Sequence, residues 1–298
     1  MPTTSRAGND PATSLVCRGS IGEARAVRRG LRGWGVAALA AALVSCTSSA
    51  AEQPVGDPAP TTAPAAAGLP VVIKDCWVPA GAANVSLTGE QAQALTARAA
   101  ELGRTTRSTA PLVQQLATTV SSTVAVDATT ARTIAAGLAG LPRAARLVCA
   151  WTRAAVEPQD PGPSGLVPRA RQLRAAWTEA FGYLPAGGFA SGGVSTGHVD
   201  GSAHYEGRAI DVFFRPHGDR EQHRRGWVFA QWVLAHAADH QVLSIIYDDH
   251  IWTSWAAGFG WRDYVHPGAT MRHRGNAVLR HLDHVHVAVE SGRPFGVG

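Results

Sequence analysis

Two runs of apolar residues at helical spacing, Val113–Val124 and Ile134–Leu141, lie in the middle of the chain. Side chains that repeat every three or four residues fall on one face of a helix, which can then be buried against a neighbour. Ahead of these runs, Thr88-Gly-Glu-Gln91 is typical of a capping box and leads into an alanine-rich stretch. The patterns predict a small helical region over residues 69–155.

The second half of the chain mixes helical and extended patterns. A linker rich in proline is predicted over residues 156–164, and Pro168 then suits the first turn of a helix that Gly182 ends. An amphipathic helix is predicted over Glu221–His240. Short alternating or continuously apolar runs predict strands at Arg208–Phe214, Val242–Tyr247, Ile251–Trp252 and His284–Val289. Residues 165–298 are therefore expected to form an α+β domain with a small antiparallel sheet.

The N-terminal segment has the features of an export signal. Four arginines between residues 25 and 33 precede an apolar run that is too short to span a bilayer. The sequence Leu43-Val44-Ser45-Cys46 resembles the bacterial lipobox, in which the cysteine is lipidated and becomes the mature N-terminus. We therefore expect a signal peptide at 1–45, a lipid anchor on Cys46 and a flexible tether at 46–68. An ordinary signal peptide that is cut elsewhere is the alternative.

Composition and charge exclude several classes of protein. The chain has 298 residues, of which 45% are hydrophobic and four are cysteines, so neither wholesale disorder nor a disulfide scaffold fits. The formal charge of +5 includes six arginines and two acids that precede residue 46. Removing that stretch takes away +4 and leaves about +1. A nucleic-acid partner is therefore not expected.

The cysteines indicate a disulfide in the exported protein. Cys17 and Cys46 belong to the predicted signal and anchor, which leaves Cys76 and Cys149. Two cysteines in an oxidising compartment are expected to pair. Two unpaired buried thiols are the alternative.

All 12 histidines lie between His198 and His286. Some of these histidines lie in two short segments whose spacing suggests a functional site. The segments are Ser202-Ala-His-Tyr-Glu-Gly-Arg-Ala-Ile-Asp211 and His281-Leu-Asp-His-Val-His286. Neutral imidazole and carboxylate groups are zinc ligands, and a catalytic zinc site uses three of them. A turn that leads into a strand lets His204 and Asp211 converge, while His284 and His286 share one face of the last strand. A solvated polar face is the alternative interpretation of the two histidines.

Together these segments resemble the zinc D,D-carboxypeptidase and endopeptidase group that acts on peptidoglycan. The matching pattern is S-x-H-x-x-G-x-A-x-D followed far downstream by an H-x-H strand, and the fold is shared with the Hedgehog signalling domain. The resemblance covers residues 165–290, where the layout is similar to exported actinobacterial domains. It implies a Hedgehog/D,D-peptidase-like domain with a Zn²⁺ cofactor held by His204, Asp211 and His286.

The resemblance leaves the general base open between two residues. Peptidases of this group place an acid three residues before the last ligand, where Asp283 stands, and others use the first histidine of H-x-H, which is His284. Strict alternation would put Asp283 on the face opposite His286, unless the strand begins after it. Ser202 is expected to cap the turn or to hold a ligand. The implied function is an extracytoplasmic peptidase that cleaves peptidoglycan stem peptides, with the membrane reached through the lipid anchor.

One departure from the group supports a second hypothesis. These peptidases carry a substrate-binding arginine upstream, and Ala190 stands at the matching position of this chain. Arg208 or Arg215 is a candidate substitute. The alternative function is a non-catalytic wall-binding or ligand-binding domain that keeps zinc for structure. The sequence identifies no partner for the helical region.

The roles of three further groups of residues stay open. His198 and Asp200, in a glycine-rich loop, are candidates to approach the site. The tryptophans Trp252, Trp255 and Trp261 either wall a substrate groove or pack in the core. The histidines His217, His223, His236, His240 and His273 are expected to be ordinary loop or helix residues.

Overall fold

The structure is a computed structural model that describes residues 73–151, 155–267 and 275–292. The predicted signal peptide, the lipid anchor on Cys46 and the tether lie outside the described residues. His273 lies outside them as well.

A three-stranded antiparallel sheet opens the described chain. Its strands run in the order β2-β1-β3, and their bounds are Ile73–Ala80 for β1, Ala83–Leu87 for β2 and Val148–Trp151 for β3. Cys76 and Cys149 are direct partners in the register of β1 and β3. They form a disulfide, which confirms the predicted pairing.

Three helices connect β2 to β3. They are α1 (Gly89–Thr105), α2 (Thr109–Thr123) and α3 (Ala128–Leu138). Thr88 and Gln91 form the predicted capping box at the start of α1, since each side chain accepts a hydrogen bond from the other residue's backbone N–H.

The prediction of a purely helical region over residues 69–155 is incomplete, because this region also holds the three-stranded sheet. The sequence of β3, Val-Cys-Ala-Trp, has no alternation of polar and apolar residues. Three of its four side chains are buried, so both faces of the strand are apolar. A short apolar run of this kind cannot be distinguished from a buried helical segment by periodicity.

The second part of the chain forms a six-stranded antiparallel sheet in the order β4-β5-β9-β6-β7-β8. The strands are Ala186–Gly187 (β4), Ala209–Phe213 (β5), Val242–Tyr247 (β6), His250–Thr253 (β7), Arg262–Asp263 (β8) and His284–Val289 (β9). Two helices, α4 (Pro168–Phe181) and α5 (Arg220–Ala235), accompany the sheet, and a 3₁₀ segment covers Ser254–Phe259. The α+β class is confirmed.

Most of these elements follow the predicted patterns. Helix α4 begins at Pro168 and is capped by Gly182, as predicted, and β6 and β9 have the predicted bounds. Helix α5 ends at Ala235, five residues before its predicted end, in a run of turns. The strands β4 and β8 were not predicted, because two residues are too few to show a period.

A single hydrophobic core runs through both parts of the chain. Gln231 on α5 is fully buried within it, and its Oε1 accepts a hydrogen bond of 2.9 Å from the backbone N–H of Leu147. The same side chain donates through Nε2 to the backbone oxygen atoms of Gly137 and Trp227. The segments before and after the predicted linker are thus joined by buried polar contacts as well as apolar ones.

The two faces of the large sheet differ in chemistry. Ile210 and Val212 of β5 pair with Val287 and Val285 of β9, and all four side chains are buried in the core. The opposite face of these strands carries Asp211, Phe213, His284 and His286. Within the described residues, no helix combines the length and the apolar character needed to cross a membrane.

Candidate metal centre

Two imidazoles and one carboxylate converge on the polar face of the large sheet. Asp211 of β5 is the direct register partner of His286 on β9, and Asp211 Oδ1 lies 3.1 Å from His286 Nδ1. His204 Nε2 lies 3.0 Å from His286 Nδ1 and 3.3 Å from Asp211 Oδ1. The three predicted ligands therefore form one cluster.

The turn before β5 brings His204 to this cluster. The hydroxyl oxygen of Ser202 accepts a hydrogen bond of 3.4 Å from the N–H of His204, and the N–H of Gly207 donates to the carbonyl of His204. Gly207 has φ +65°, and a Cβ there would lie 2.2 Å from the backbone oxygen of Gly165. Only glycine allows the turn to approach the chain so closely before the strand begins.

The spacing of the cluster fits a small divalent cation. Zinc bonds to nitrogen and oxygen ligands are about 2.0–2.1 Å long, so two ligands of a tetrahedral site are about 3.3 Å apart. The three distances in the cluster are 3.0, 3.1 and 3.3 Å. His204, Asp211 and His286 can therefore hold a metal ion.

The electrostatics of the cluster keep its groups in the states that ligands need. Burial alone would raise the pKa of Asp211, but the neighbouring imidazoles of His204 and His286 outweigh it and hold that pKa well below its usual range. Burial lowers the pKa of His286, and Asp211 offsets part of this effect. An ionised carboxylate beside a neutral imidazole is the combination that binds a cation.

The backbone of Gly188 contacts the His204 ring on the side away from the cluster. Its carbonyl oxygen lies 2.8 Å from His204 Nδ1, so Nδ1–H donates to it and the Nε2 lone pair faces the cluster. Gly188 has φ +79°, and a Cβ there would lie 2.4 Å from His204 Cε1. This role of Gly188 could not be predicted, because a glycine in a glycine-rich loop carries no signal of its own.

The two candidate bases have different positions. Strand β9 begins at His284, so Asp283 precedes the strand and does not follow its alternation. His284 Nδ1 lies 2.8 Å from Asp283 Oδ1, and its Nε2 lies 3.8 Å from Asp211 Oδ1. The hydrogen bond from His284 lowers the pKa of Asp283 to about 2, with a further contribution from Arg215, although burial opposes them. Asp283 thus lies beside His284, which in turn lies beside the cluster.

Arg208 and Arg215 are the candidates to replace the arginine that is missing at Ala190, and their side chains point in different directions. Arg208 is buried, and its guanidinium donates to the Glu206 carboxylate and to the backbone oxygen of Val289. Arg215 is half exposed, and its Nε donates to Asp283 Oδ2 over 2.8 Å. Only Arg215 of these two thus joins the group of side chains around the cluster.

Two more histidines adjoin the cluster. The ring of His198 stacks on that of His204 with centroids 3.9 Å apart, and the hydroxyl of Tyr205 holds the loop by bonding both the N–H and the carbonyl of His198. His281 is buried with its ring 4.6 Å from that of His284. No role was predicted for His281, because it lies three residues before a strand, where the direction of its side chain cannot be predicted.

Other candidate residues lie elsewhere. Asp200 and His217 are exposed, and His223 pairs with Asp248. His236 stacks on Trp232 at the end of α5, and burial lowers the pKa of both His236 and His240. Of the three tryptophans, Trp252 is fully buried, whereas Trp255 is half exposed and Trp261 is partly buried.

Comparison with known proteins gives one match. Residues 162–274 match a family model described as VldE, C-terminal domain. The matched range contains His204 and Asp211 but ends before β9, which carries His286. No curated protein and no solved structure matches the chain.

Proposed function

We propose that the chain is an extracytoplasmic zinc-dependent peptidase that cleaves peptidoglycan stem peptides. The observation that carries the proposal is the convergence of His204, Asp211 and His286 within hydrogen-bond distance of one another, with His284 beside them. Two imidazoles and one carboxylate are a donor set that suits zinc and leaves a coordination position open. The resemblance of the two sequence segments to the Hedgehog/D,D-peptidase group supplies the substrate class.

In this proposal each residue near the cluster has a defined task. His204, Asp211 and His286 would hold the zinc ion, which when bound polarises a peptide carbonyl. His284 donates through Nδ1–H to Asp283, so its Nε2 carries the lone pair and can accept a proton beside the cluster. Asp283 keeps His284 in this tautomer, and Arg215 fixes Asp283 in turn. His284 is therefore the proposed general base, with Asp283 as its orienting partner.

The proposed location is the outer face of the cell membrane. Lipidation of Cys46 and the tether over residues 46–68 would anchor the domain while leaving it free to reach the wall. The change Cys46→Ala should release the protein from the membrane fraction or block its maturation. Unchanged retention of this variant in the membrane fraction would contradict the anchor.

Cleavage of purified muropeptides tests the activity. The zinc-loaded protein should release products that mass spectrometry identifies, and chelation should abolish their release until zinc is restored. His204→Ala should lose both the metal and the cleavage, whereas His217→Ala, which changes an exposed histidine, should lose neither. Full zinc occupancy in His204→Ala would refute the ligand assignment.

A non-catalytic wall-binding domain is the second candidate function. It is favoured by Ala190, which stands where the group carries arginine, and by Arg208, whose guanidinium is taken up by Glu206 and Val289. Measurable binding of muropeptides without cleavage by the zinc-loaded protein would support this candidate. Cleavage gained by Ala190→Arg would then show that the rest of the site is competent.

A further inference from the structure

An open groove of about 350 Å³ lies between the small sheet and the segment after β7, away from the metal centre. Its walls are formed by Trp77 and Pro79 of β1 on one side and by Phe259 and Trp261 on the other. Ligand sites commonly have volumes of about 300–1,000 Å³ and aromatic walls with few polar groups. The groove has the size and the lining of a site for one small ring-shaped ligand.

The aromatic walls are held in place by the fold. Trp261 donates through Nε1 to the backbone oxygen of Leu147 over 2.9 Å and packs edge-on against Trp227. Gly260 has φ +66°, and a Cβ there would lie 3.0 Å from Val148 Cγ2, so glycine is favoured where this turn packs against the groove. Phe259 remains 81% exposed at the rim. The groove thus has a fixed wall and a large apolar side chain that faces solvent.

Arg146 is the charged residue of the groove. Its Nη1 donates to the backbone oxygen of Leu141 over 2.9 Å, and its Cζ lies 4.2 Å from the centroid of the Trp227 ring. Within the part of the chain that the structure describes, no carboxylate lies within 4.0 Å of this guanidinium. Burial lowers the pKa of Arg146 to about 10, so it stays protonated at neutral pH. The guanidinium thus stacks on Trp227 at the wall of the groove and keeps its positive charge.

Asp248 lies near Arg146 but does not line the groove. Its carboxylate acts electrostatically on Arg146, and its Oδ2 accepts hydrogen bonds from His223 and Trp227. Tyr247 is neutral, because burial raises its pKa far above the usual range. His250 also lines the groove, and no lining residue is acidic among those described. The lining therefore includes a guanidinium and no carboxylate among the described residues, which suits an anionic ligand.

The groove and the metal centre lie on opposite faces of the large sheet. His286 pairs with Ile246, and Ile246 pairs with Ile251, so these three side chains share one face. His250 precedes Ile251 and points to the other face. A ligand in the groove is thus separated from the cluster by the thickness of the sheet.

We propose that this groove is a binding site for an acidic sugar. The sugar ring would lie against Trp77, Phe259 and Trp261, and its carboxylate would accept hydrogen bonds from Arg146. Guanidinium and carboxylate groups form charge-assisted hydrogen bonds that are stronger than neutral ones. This site is independent of the metal centre and of its proposed activity.

Titration with two matched sugars tests the proposal. N-acetylmuramic acid differs from N-acetylglucosamine by a lactyl ether that carries a carboxylate. In spectra of the ¹⁵N-labelled zinc-bound protein, N-acetylmuramic acid should shift the indole signals of Trp77 and Trp261 and bind at least about tenfold more tightly than N-acetylglucosamine. Equal affinity for the two sugars, or no shift of either indole signal, would overturn the proposal.

Variants locate the binding. Arg146→Gln should remove the preference for the acidic sugar, and Phe259→Ala should weaken the binding of both sugars. Arg132→Gln, which removes an exposed arginine from α3, should change neither. If Arg146→Gln does not fold, Arg146→Lys keeps the charge without the planar fork and should weaken the binding of N-acetylmuramic acid.

Two further titrations distinguish the groove from the metal centre and a carboxylate ligand from a phosphate. His204→Ala should keep the affinity for N-acetylmuramic acid even though it loses the metal, because the groove lies on the other face. Loss of binding in this variant would assign the sugar to the metal centre and overturn the groove. Glucosamine 6-phosphate tests the other common oxyanion, and binding of the phosphate sugar alone would contradict the proposed carboxylate ligand.

Discussion

The carbonyl oxygen of Gly188 lies 2.8 Å from Nδ1 of His204 and fixes which nitrogen of that ring faces Asp211 and His286. The contact requires a residue without a side chain, since φ at Gly188 is +79° and a Cβ would overlap the imidazole. A backbone atom in a glycine-rich loop is thus part of the centre.

We expect Gly188→Ala to weaken metal binding about 10–100-fold, the usual effect of disturbing a group that orients a ligand. The added Cβ must displace His204 or the loop. Gly192→Ala is the matched control, because Gly192 also has positive φ but nothing lies within 4 Å of its Cβ position. Competition with a chromogenic zinc chelator measures both affinities. Equal affinities of the two variants would show that the Gly188 contact does not position His204.

His284 and Asp283 should differ in their effect on turnover. His284→Ala removes the proposed base and should lower turnover about 10²–10⁴-fold while zinc stays bound. Asp283→Asn keeps a hydrogen-bond acceptor for His284 Nδ1, so it should lower turnover less and shift the pH profile. Metal analysis and muropeptide kinetics on both variants check this. A larger loss in Asp283→Asn than in His284→Ala, with zinc retained in both, would make Asp283 the base.

The disulfide should contribute substantially to stability. Cys76 and Cys149 are separated by 73 residues, and closing a loop of that length stabilises the fold by about 4 kcal/mol in the chain-entropy model. We expect the double variant Cys76→Ser/Cys149→Ser to lose about this amount in denaturant unfolding. Adding a reductant should destabilise the unchanged protein and leave the double variant unaffected. An unfolding midpoint that a reductant does not move in the unchanged protein would contradict this role.

Gln231 should couple the two parts of the chain. Gln231→Leu leaves the N–H of Leu147 and the carbonyl of Gly137 buried without this partner, at a cost of about 1–3 kcal/mol for each. Gln115→Leu, an exposed substitution on α2, is the control and should change the unfolding free energy little. Equal unfolding free energies of the two variants would show that the buried network contributes nothing.

Local signals in the sequence determined much of the fold. Pro168 and Gly182 mark the ends of α4, and the capping box at Thr88 marks the start of α1, because each acts on backbone groups within one turn. The apolar runs of β6 and β9 have the predicted bounds. The pairing of Cys76 with Cys149 followed from counting the cysteines outside the predicted signal peptide and lipid anchor. The three candidate ligands were also identifiable, since their residue types and spacing resemble a known zinc motif.

Only the tertiary structure decided how distant residues meet. The antiparallel register of β5 and β9 sets Asp211 against His286 across 75 positions of the chain, and no local pattern specifies such a register. The same is true of Gly188 and His204, whose contact joins positions 16 residues apart. Strand β3 was not predicted, because a short strand that is buried on both faces shows no alternation of polar and apolar residues. Arg146 lies in the aromatic groove because two segments that are far apart in sequence pack together there. Local propensity acts within a few residues, whereas these contacts depend on the packing of the whole chain.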